Sequence, residues 1–265
     1  MDIERKLNMA YNATDIEWTY EVPGKSLMAF VKELHVSNED ARFDLLENGI
    51  TVRVVDASHV FMQTITIGEG EPTGQSYGME LRRLKEALTG HTKMNSKETS
   101  MVTLSIDTRE NILRMNLQNG TLFEWRGLDL ETLTPPTLPE IEMPGVIEVP
   151  SDKLALGVMS QRRIGDLANL VIRQGELEMS VIGSASRVEV IIPGVSVHPN
   201  GYKPNVKSTF SLTYLIPILK EWKNAGTVEL SCGENFPLKA KKTNEIGGVK
   251  LESNFFLAPR IENDY

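Results

Sequence analysis

The sequence predicts an α+β protein made of two similar domains, each an antiparallel sheet that carries two helices. Three observations predict it. One order of strand, helix, further strands and helix occurs twice, about half a chain apart. Four stretches with helical spacing of apolar residues are set among many shorter ones that alternate apolar with polar, and a proline-rich segment stands between the two copies. Copies of this length imply two domains of ordinary size, not a solenoid of short repeats.

The elements follow in order. Residues 1–15 are polar, carry Asn8, Asn12 and Thr14 without a sustained period, and predict a loosely held tail. Residues 16–22 alternate as a strand and stop at Pro23-Gly24. Leu27, Phe30, Val31 and Leu34 recur at helical spacing, which predicts a helix over 25–35. Strands over 43–46 and 50–55 are expected to be joined by a hairpin turn at Asn48-Gly49. A helix over 81–88 precedes a strand over 101–106. The second copy answers each part: 170–179 echoes 42–52, a third helix over 151–160 opens on Pro150-Ser151, and a fourth over 212–223 precedes a strand over 227–231. Pro217 lies inside that fourth helix and predicts a kink or a late start. The echoes are weak in identity and strong in order.

Between the copies, Pro135, Pro136, Pro139 and Pro144 forbid a continuous helix or a central strand over 127–144. The expected division is therefore a tail over 1–15, a first domain over 16–126, a connector over 127–144 and a second domain over 145–265. The connector carries many apolar side chains beside acidic ones. It reads either as a plain linker packed on its neighbours or as the rim of a partner-docking surface.

Composition narrows the classes. The chain has 265 residues, 40% hydrophobic and 24% charged, which is ordinary for a soluble globular protein and unlike a disordered or collagenous chain. No apolar run nears the roughly 20 residues that cross a bilayer, and the mixed charge of Met1 to Lys6 resembles no signal peptide, so an intracellular protein without a membrane partner is expected. The single cysteine, Cys232, rules out an internal disulfide and any cysteine-cluster metal site. A net charge of -8 excludes a generally basic protein that coats nucleic acid, and leaves room for a local basic face.

Enzyme motifs are weak. Gly24-Lys25-Ser26 matches the end of a phosphate-binding loop, but Thr19 stands where its first glycine belongs, so a helix start after a Pro-Gly turn is the stronger reading. Asp56-Ala57-Ser58-His59 gathers the residue types of a catalytic triad, yet four consecutive residues cannot converge on one point. A turn that bonds its own side chains is expected there, with a hydrolase using Ser58 and His59 as the alternative. His35, His59, His91 and His198 show no metal-ligand spacing, so neither metal nor cofactor is expected. Cys232 reads as a small apolar residue.

The helices carry a clearer signal. Acids outnumber bases 36 to 28 in the whole chain, whereas the helices hold Lys25, Lys32 and His35 against Glu33, then Arg82, Arg83 and Lys85, then Lys153 with Arg162 and Arg163 just beyond, then Lys220 and Lys223 against Glu221. These bases either form a positive face for phosphates or are cations along solvated helices.

The segment Gly49-Ile50-Thr51-Val52-Arg53-Val54-Val55-Asp56-Ala57-Ser58-His59-Val60 resembles the sliding clamps of the proliferating cell nuclear antigen (PCNA) family, archaeal and eukaryotic type. So do Phe236-Pro237-Leu238-Lys239 and Phe256-Leu257-Ala258-Pro259-Arg260-Ile261-Glu262, together with Pro150-Ser151 and the order of repeats. The resemblance covers roughly residues 18 to 264 and implies the DNA clamp fold. It implies a non-enzymatic processivity factor: a homotrimeric ring on double-stranded DNA, read without sequence preference, in the cytoplasm or nucleoid of a prokaryote or the nucleus of a eukaryote. Partners implied are DNA polymerase, the clamp loader replication factor C, flap nuclease and DNA ligase. The subunit of a heterotrimeric or checkpoint-type clamp is the alternative.

Carried over by position, the DNA-lining residues would be Lys25, Lys32, Arg82, Arg83, Lys85, Lys153, Lys220 and Lys223. The third helix, with Leu156 and Met159, is poorer in bases than the family shows. The partner-peptide pocket would have Val55, His59, Val60, Met62, Pro237, Ala258, Pro259 and Ile261 as floor, roofed by Leu133, Pro135 and Ile141. Core packing is the alternative for Val55 and Val60, and Pro135 stands where the family often has a branched aliphatic. The subunit interface would join an edge strand with Leu122, Phe123 and Trp125 to one with Arg187, Val188, Val190 and Ile192. The tail over 1–15 has no counterpart in the family.

Overall fold

The structure is a computed structural model that describes residues 18–34, 39–94, 100–133, 141, 143–196 and 205–261. In chain order it runs β1 (Trp18–Pro23), α1 (Gly24–Leu34), β2 (Asp40–Val55), β3 (Phe61–Glu80), α2 (Leu81–Met94), β4 (Met101–Asp107), β5 (Ile112–Leu117) and β6 (Leu122–Arg126). After a short 3-10 turn at Leu130–Leu133 come β7 (Gly145–Pro150), α3 (Ser151–Gln161), β8 (Leu167–Arg173), β9 (Glu176–Ile182), β10 (Arg187–Pro193) and β11 (Val195–Ser196). The chain ends with β12 (Val206–Ser211), α4 (Leu212–Glu221), a 3-10 turn at Trp222–Asn224, β13 (Thr227–Cys232), β14 (Leu238–Ile246) and β15 (Val249–Leu257). The described residues of 1–54, 65–135 and 245–251 form one compact unit, and those of 55–64, 136–244 and 252–265 form a second.

In the first unit β1-β4-β5-β6 is an antiparallel sheet, with Leu104 of β4 opposite Tyr20 on one side and Met115 on the other. The helices lie on this framework because their apolar residues recur every three or four positions. Leu27, Phe30, Val31 and Leu34 of α1 are buried together with Leu81, Leu84 and Leu88 of α2, while Lys25 and Lys32 stay exposed. The strands add Phe43, Val52, Ile65 and Leu104 to that core.

The second unit repeats the plan. Its strands β7-β13-β14-β15 occur in the same order as β1-β4-β5-β6: in each set, the strand before the first helix pairs with the strand after the second. A further sheet has the order β10-β9-β8-β12, and β15 continues to the first residues of β3, where Gln63 Nε2 donates to Ser253 Oγ at 3.2 Å. On α3, Leu154, Ala155 and Val158 are buried; on α4, Leu212, Leu215, Ile218 and Leu219.

Three local expectations are corrected. Asn48-Gly49 is not a hairpin turn; the chain passes through it within the single strand β2. The reason is a close backbone approach: a Cβ on Gly49 would strike the Ile67 carbonyl, and Gly68 opposite has φ of 82°. α4 starts at Leu212 with Pro217 well inside, so the late start does not occur. Lys223 belongs to the 3-10 turn that follows α4, not to the helix.

Candidate functional site

The link between β2 and β3 is built by one side chain. A short aspartate can reach backbone N–H groups a few residues ahead of it. Asp56 Oδ1 accepts from the Val60 N–H at 2.8 Å and the Phe61 N–H at 2.7 Å, and Oδ2 accepts from the Ser58 N–H at 3.2 Å. The Asp56 N–H donates to the Phe61 carbonyl, and the His59 N–H donates to the Asp56 carbonyl. His59 sits in the left-handed region at φ 55° with its side chain exposed.

A distant residue completes the turn. The Tyr214 hydroxyl on α4 donates to Asp56 Oδ2 at 2.8 Å, and its ring stacks on Phe61 with centroids 5.7 Å apart and planes 18° apart. Burial acts to raise the Asp56 carboxyl, but the hydrogen bonds from Phe61, Tyr214, Val60 and Ser58 together outweigh it and hold it below its ordinary value. That hydrogen bond to Asp56, with burial second, raises the Tyr214 hydroxyl. The carboxylate serves the turn and Tyr214, and among the described residues the His59 ring does not bond it, so the hydrolase arrangement is not assembled.

The end of the chain then comes to the turn. The Ala258 N–H donates to the Val60 carbonyl at 2.8 Å, and the Arg260 N–H donates to the Thr209 carbonyl at 2.8 Å. Val55, Val60, Ala258 and Pro259 are half-buried, and Ile261 is 64% exposed. Together they offer an apolar ledge with a polar margin, the chemistry that accepts an apolar peptide anchor. Met62 is buried within β3. Pro237 is half-buried just before β14, next to the exposed ring of Phe236, which the sequence analysis left out of the site. Leu133 belongs to the first unit, where its Cδ1 approaches Gly78 of β3 and Leu128 bridges to that glycine. Ile141 is exposed; Pro135 lies outside the described residues.

The helical bases differ among themselves. Lys25, Lys32, Lys153, Lys220 and Lys223 are exposed, and Lys85 is half-buried. Among the described residues these six make no ion pair. Arg82 and Arg83 are both held by Glu80, at 2.9 and 2.5 Å. Arg83 first, with Arg82 in support, keeps the Glu80 carboxyl below its ordinary value. In the second unit a groove of about 490 Å³ lies beside α4, lined by Arg162, Asp166, Thr213, Ile216, Pro217 and Lys220 among others. Leu156 and Met159 on α3 are 51% and 43% exposed. His35 lies outside the described residues.

Both expected edge strands are edges. Among the described strands β6 pairs with β5 alone and β10 with β9 alone, which leaves one row of N–H and C=O groups open on each. Phe123 and Trp125 stack on each other at 5.5 Å and pack on the core of the first unit. On β10 the expected Val188, Val190 and Ile192 alternate with the exposed Arg187, Glu189 and Ile191. Ile191, 52% exposed, breaks the apolar-polar alternation of Arg187–Pro193, a signal the sequence does contain.

Two lobes of one α+β plan, four helices among the described residues and an unsatisfied edge strand in each unit define a two-domain clamp fold. The comparisons agree. A DNA polymerase sliding clamp of Methanococcoides burtonii is 26% identical over 243 residues, covering 88% of this chain and 94% of that one. The A. fulgidus PCNA, solved with the C-terminal region of FEN-1, matches with a TM-score of 0.79 and 20% identity, over 94% of this chain and 100% of that one. A PCNA2-PCNA3 complex from Sulfolobus tokodaii matches with a TM-score of 0.74 and 18% identity, over 92% and 100%. No protein-family model matches the chain. The chain is thus similar over most of its length to archaeal DNA polymerase sliding clamps and has the fold of PCNA.

Proposed function

We propose that this chain is the repeating subunit of a ring that encircles duplex DNA and tethers replication and repair enzymes to it. The observation that carries the reading is the twofold clamp plan with β6 an open edge strand in the first unit and β10 an open edge strand in the second. Identical chains joined β6 to β10 satisfy the open backbone groups of those two strands and close a ring. The division into domains over 16–126 and 145–265, joined by the connector over 127–144, belongs to the same proposal.

The mechanism is topological. Encirclement replaces tight binding, so lateral diffusion stays easy and escape requires the ring to open, which assigns loading to an ATP-driven clamp loader such as replication factor C. Five helical lysines and Lys223 just beyond α4, without ion pairs among the described residues, supply a diffuse positive lining that attracts phosphates and reads no bases. The overall negative charge of -8 keeps DNA off the other surfaces. No step of this function needs a catalytic group, and we read the chain as a scaffold acting inside the cell.

Enzymes dock by an apolar peptide on the ledge at Val60, Ala258 and Pro259, with Val55, His59, Met62, Pro237 and Ile261 around it. The FEN-1 region bound to the A. fulgidus PCNA supports a flap nuclease as one partner; DNA polymerase and DNA ligase are the others we assign. Light scattering at several concentrations tests assembly: a mass of three times 29.6 kDa is expected, and a monomer at every concentration overturns self-assembly. The S. tokodaii complex of two different PCNA chains favours a second reading, a heterotrimer subunit, for which this chain would trimerise only with a different partner chain.

A further inference from the structure

We propose that Tyr214 is the positioning residue of the peptide-docking ledge: from α4 it locks the Asp56 turn into the one shape that presents Val60 to a partner. The inference rests on the docking reading above. Four observations support it. The Tyr214 hydroxyl donates to Asp56 Oδ2 at 2.8 Å across 158 residues of sequence. Its ring stacks on Phe61, the residue that ends the turn. The same carboxylate holds the N–H groups of Ser58, Val60 and Phe61. The Val60 carbonyl in turn accepts from Ala258, so the tail side of the ledge is set by the same turn.

The geometry needs an outside anchor. His59 occupies the left-handed region, which a residue with a side chain adopts only where its surroundings impose it. The Asp56 bonds are local and move with the turn; Tyr214 is tied to a helix with four residues buried in the second unit. It therefore supplies a fixed reference that the turn cannot supply for itself, and it lowers the ordering cost of peptide binding. Tyr214 and Lys220 both lie on α4, so the helix that carries a proposed DNA-lining charge also positions the partner site.

The test compares the full chain with Tyr214→Phe, which keeps the stacking ring and removes only the hydroxyl. The probe is a labelled peptide of the C-terminal region of FEN-1, followed by fluorescence anisotropy over a pH series, with amide exchange of Ser58, Val60 and Phe61 measured in parallel. Affinity is expected to fall about three- to tenfold, the worth of one hydrogen bond. Exchange at Val60 and Phe61 is expected to speed up in step. Because Asp56 loses a stabilising donor, its carboxyl rises, and the acid-side loss of affinity is expected to move to higher pH in the variant. The other titratable groups near the turn, His59 within it and Arg260 on the tail segment, are unchanged in both proteins. Asp56→Asn serves as a second variant and is expected to lose affinity and the acid-side step together. Unchanged affinity and exchange in Tyr214→Phe, with the native chain binding the peptide, overturn this proposal alone. A native chain that does not bind the peptide overturns the docking reading and the proposal with it.

Discussion

Asp56 gives the residue-scale case its sign. Its folded value lies below the ordinary carboxylate value of about 3.9, so its stabilisation is complete above that unfolded value and is lost as pH falls through the lower folded one. Protection of the Val60 and Phe61 amides is therefore expected to hold near neutral pH and to collapse only below about pH 4. Protection that is already lost at neutral pH would show that the carboxylate does not hold the turn. Cys232 behaves differently. Burial alone pushes its thiol up to about 12, so no thiolate is present in the folded chain. A thiol reagent is expected to leave the native protein unmodified and to label it only on unfolding. Gly68 is constrained twice, by φ of 82° and by the Asn48 carbonyl and Tyr20 hydroxyl that a Cβ would meet. Gly68→Ala is expected to cost about 2 kcal/mol or more by denaturant titration, since neither the conformation nor the space suits a side chain.

At the scale of elements, α4 and β10 carry the informative departures from ordinary sequence. Pro217 removes an N–H that would bond the Thr213 carbonyl, yet the helix continues because Leu215, Ile218 and Leu219 are anchored in the second unit. Pro217→Ala is expected to raise stability by about 1 kcal/mol, measured by the denaturation midpoint. On β10, Ile191 projects from an open edge on which its neighbours at the same face, Arg187 and Glu189, form an ion pair. Ile191→Glu is expected to reduce the mass in solution toward that of one chain, and an unchanged trimer would remove β10 from the subunit contact. The helical repeats were legible in the sequence, because one buried face imposes a 3.6 period on it, whereas the edge strands were expected only from the family resemblance. The pairing of Asn48-Gly49 was not, since a glycine for a turn and a glycine for close strand approach look alike in isolation.

For the whole molecule, the distribution of charge decides more than its sum. In the proposed function an anion of net charge -8 surrounds DNA by way of helical lysines that make no ion pair among the described residues. Lys220→Glu is expected to weaken retention on DNA more than Arg83→Glu, because Glu80 already offsets Arg83 at 2.5 Å. Both effects should shrink as salt is raised, as phosphate contacts require. Equal losses from the two substitutions would mean that the Glu80 pair does not matter to the lining. α3, with Leu156 and Met159 exposed, offers Lys153 alone and α4 offers Lys220 alone, fewer bases than α1 or α2. The lining is consequently expected to depend most on α1 and on Lys220.

By itself the sequence determined the duplicated plan, the four helices with their basic residues, and the segment from Gly49 to Val60 that carries the family resemblance. Each of these is a local record: periodicity and charge sit on neighbouring residues and survive reading in one dimension. Tertiary structure alone decided that Tyr214 reaches Asp56 and that Ala258 bonds Val60. Those outcomes depend on which side chains meet after strands far apart in the chain have paired, and no spacing within either strand encodes the meeting.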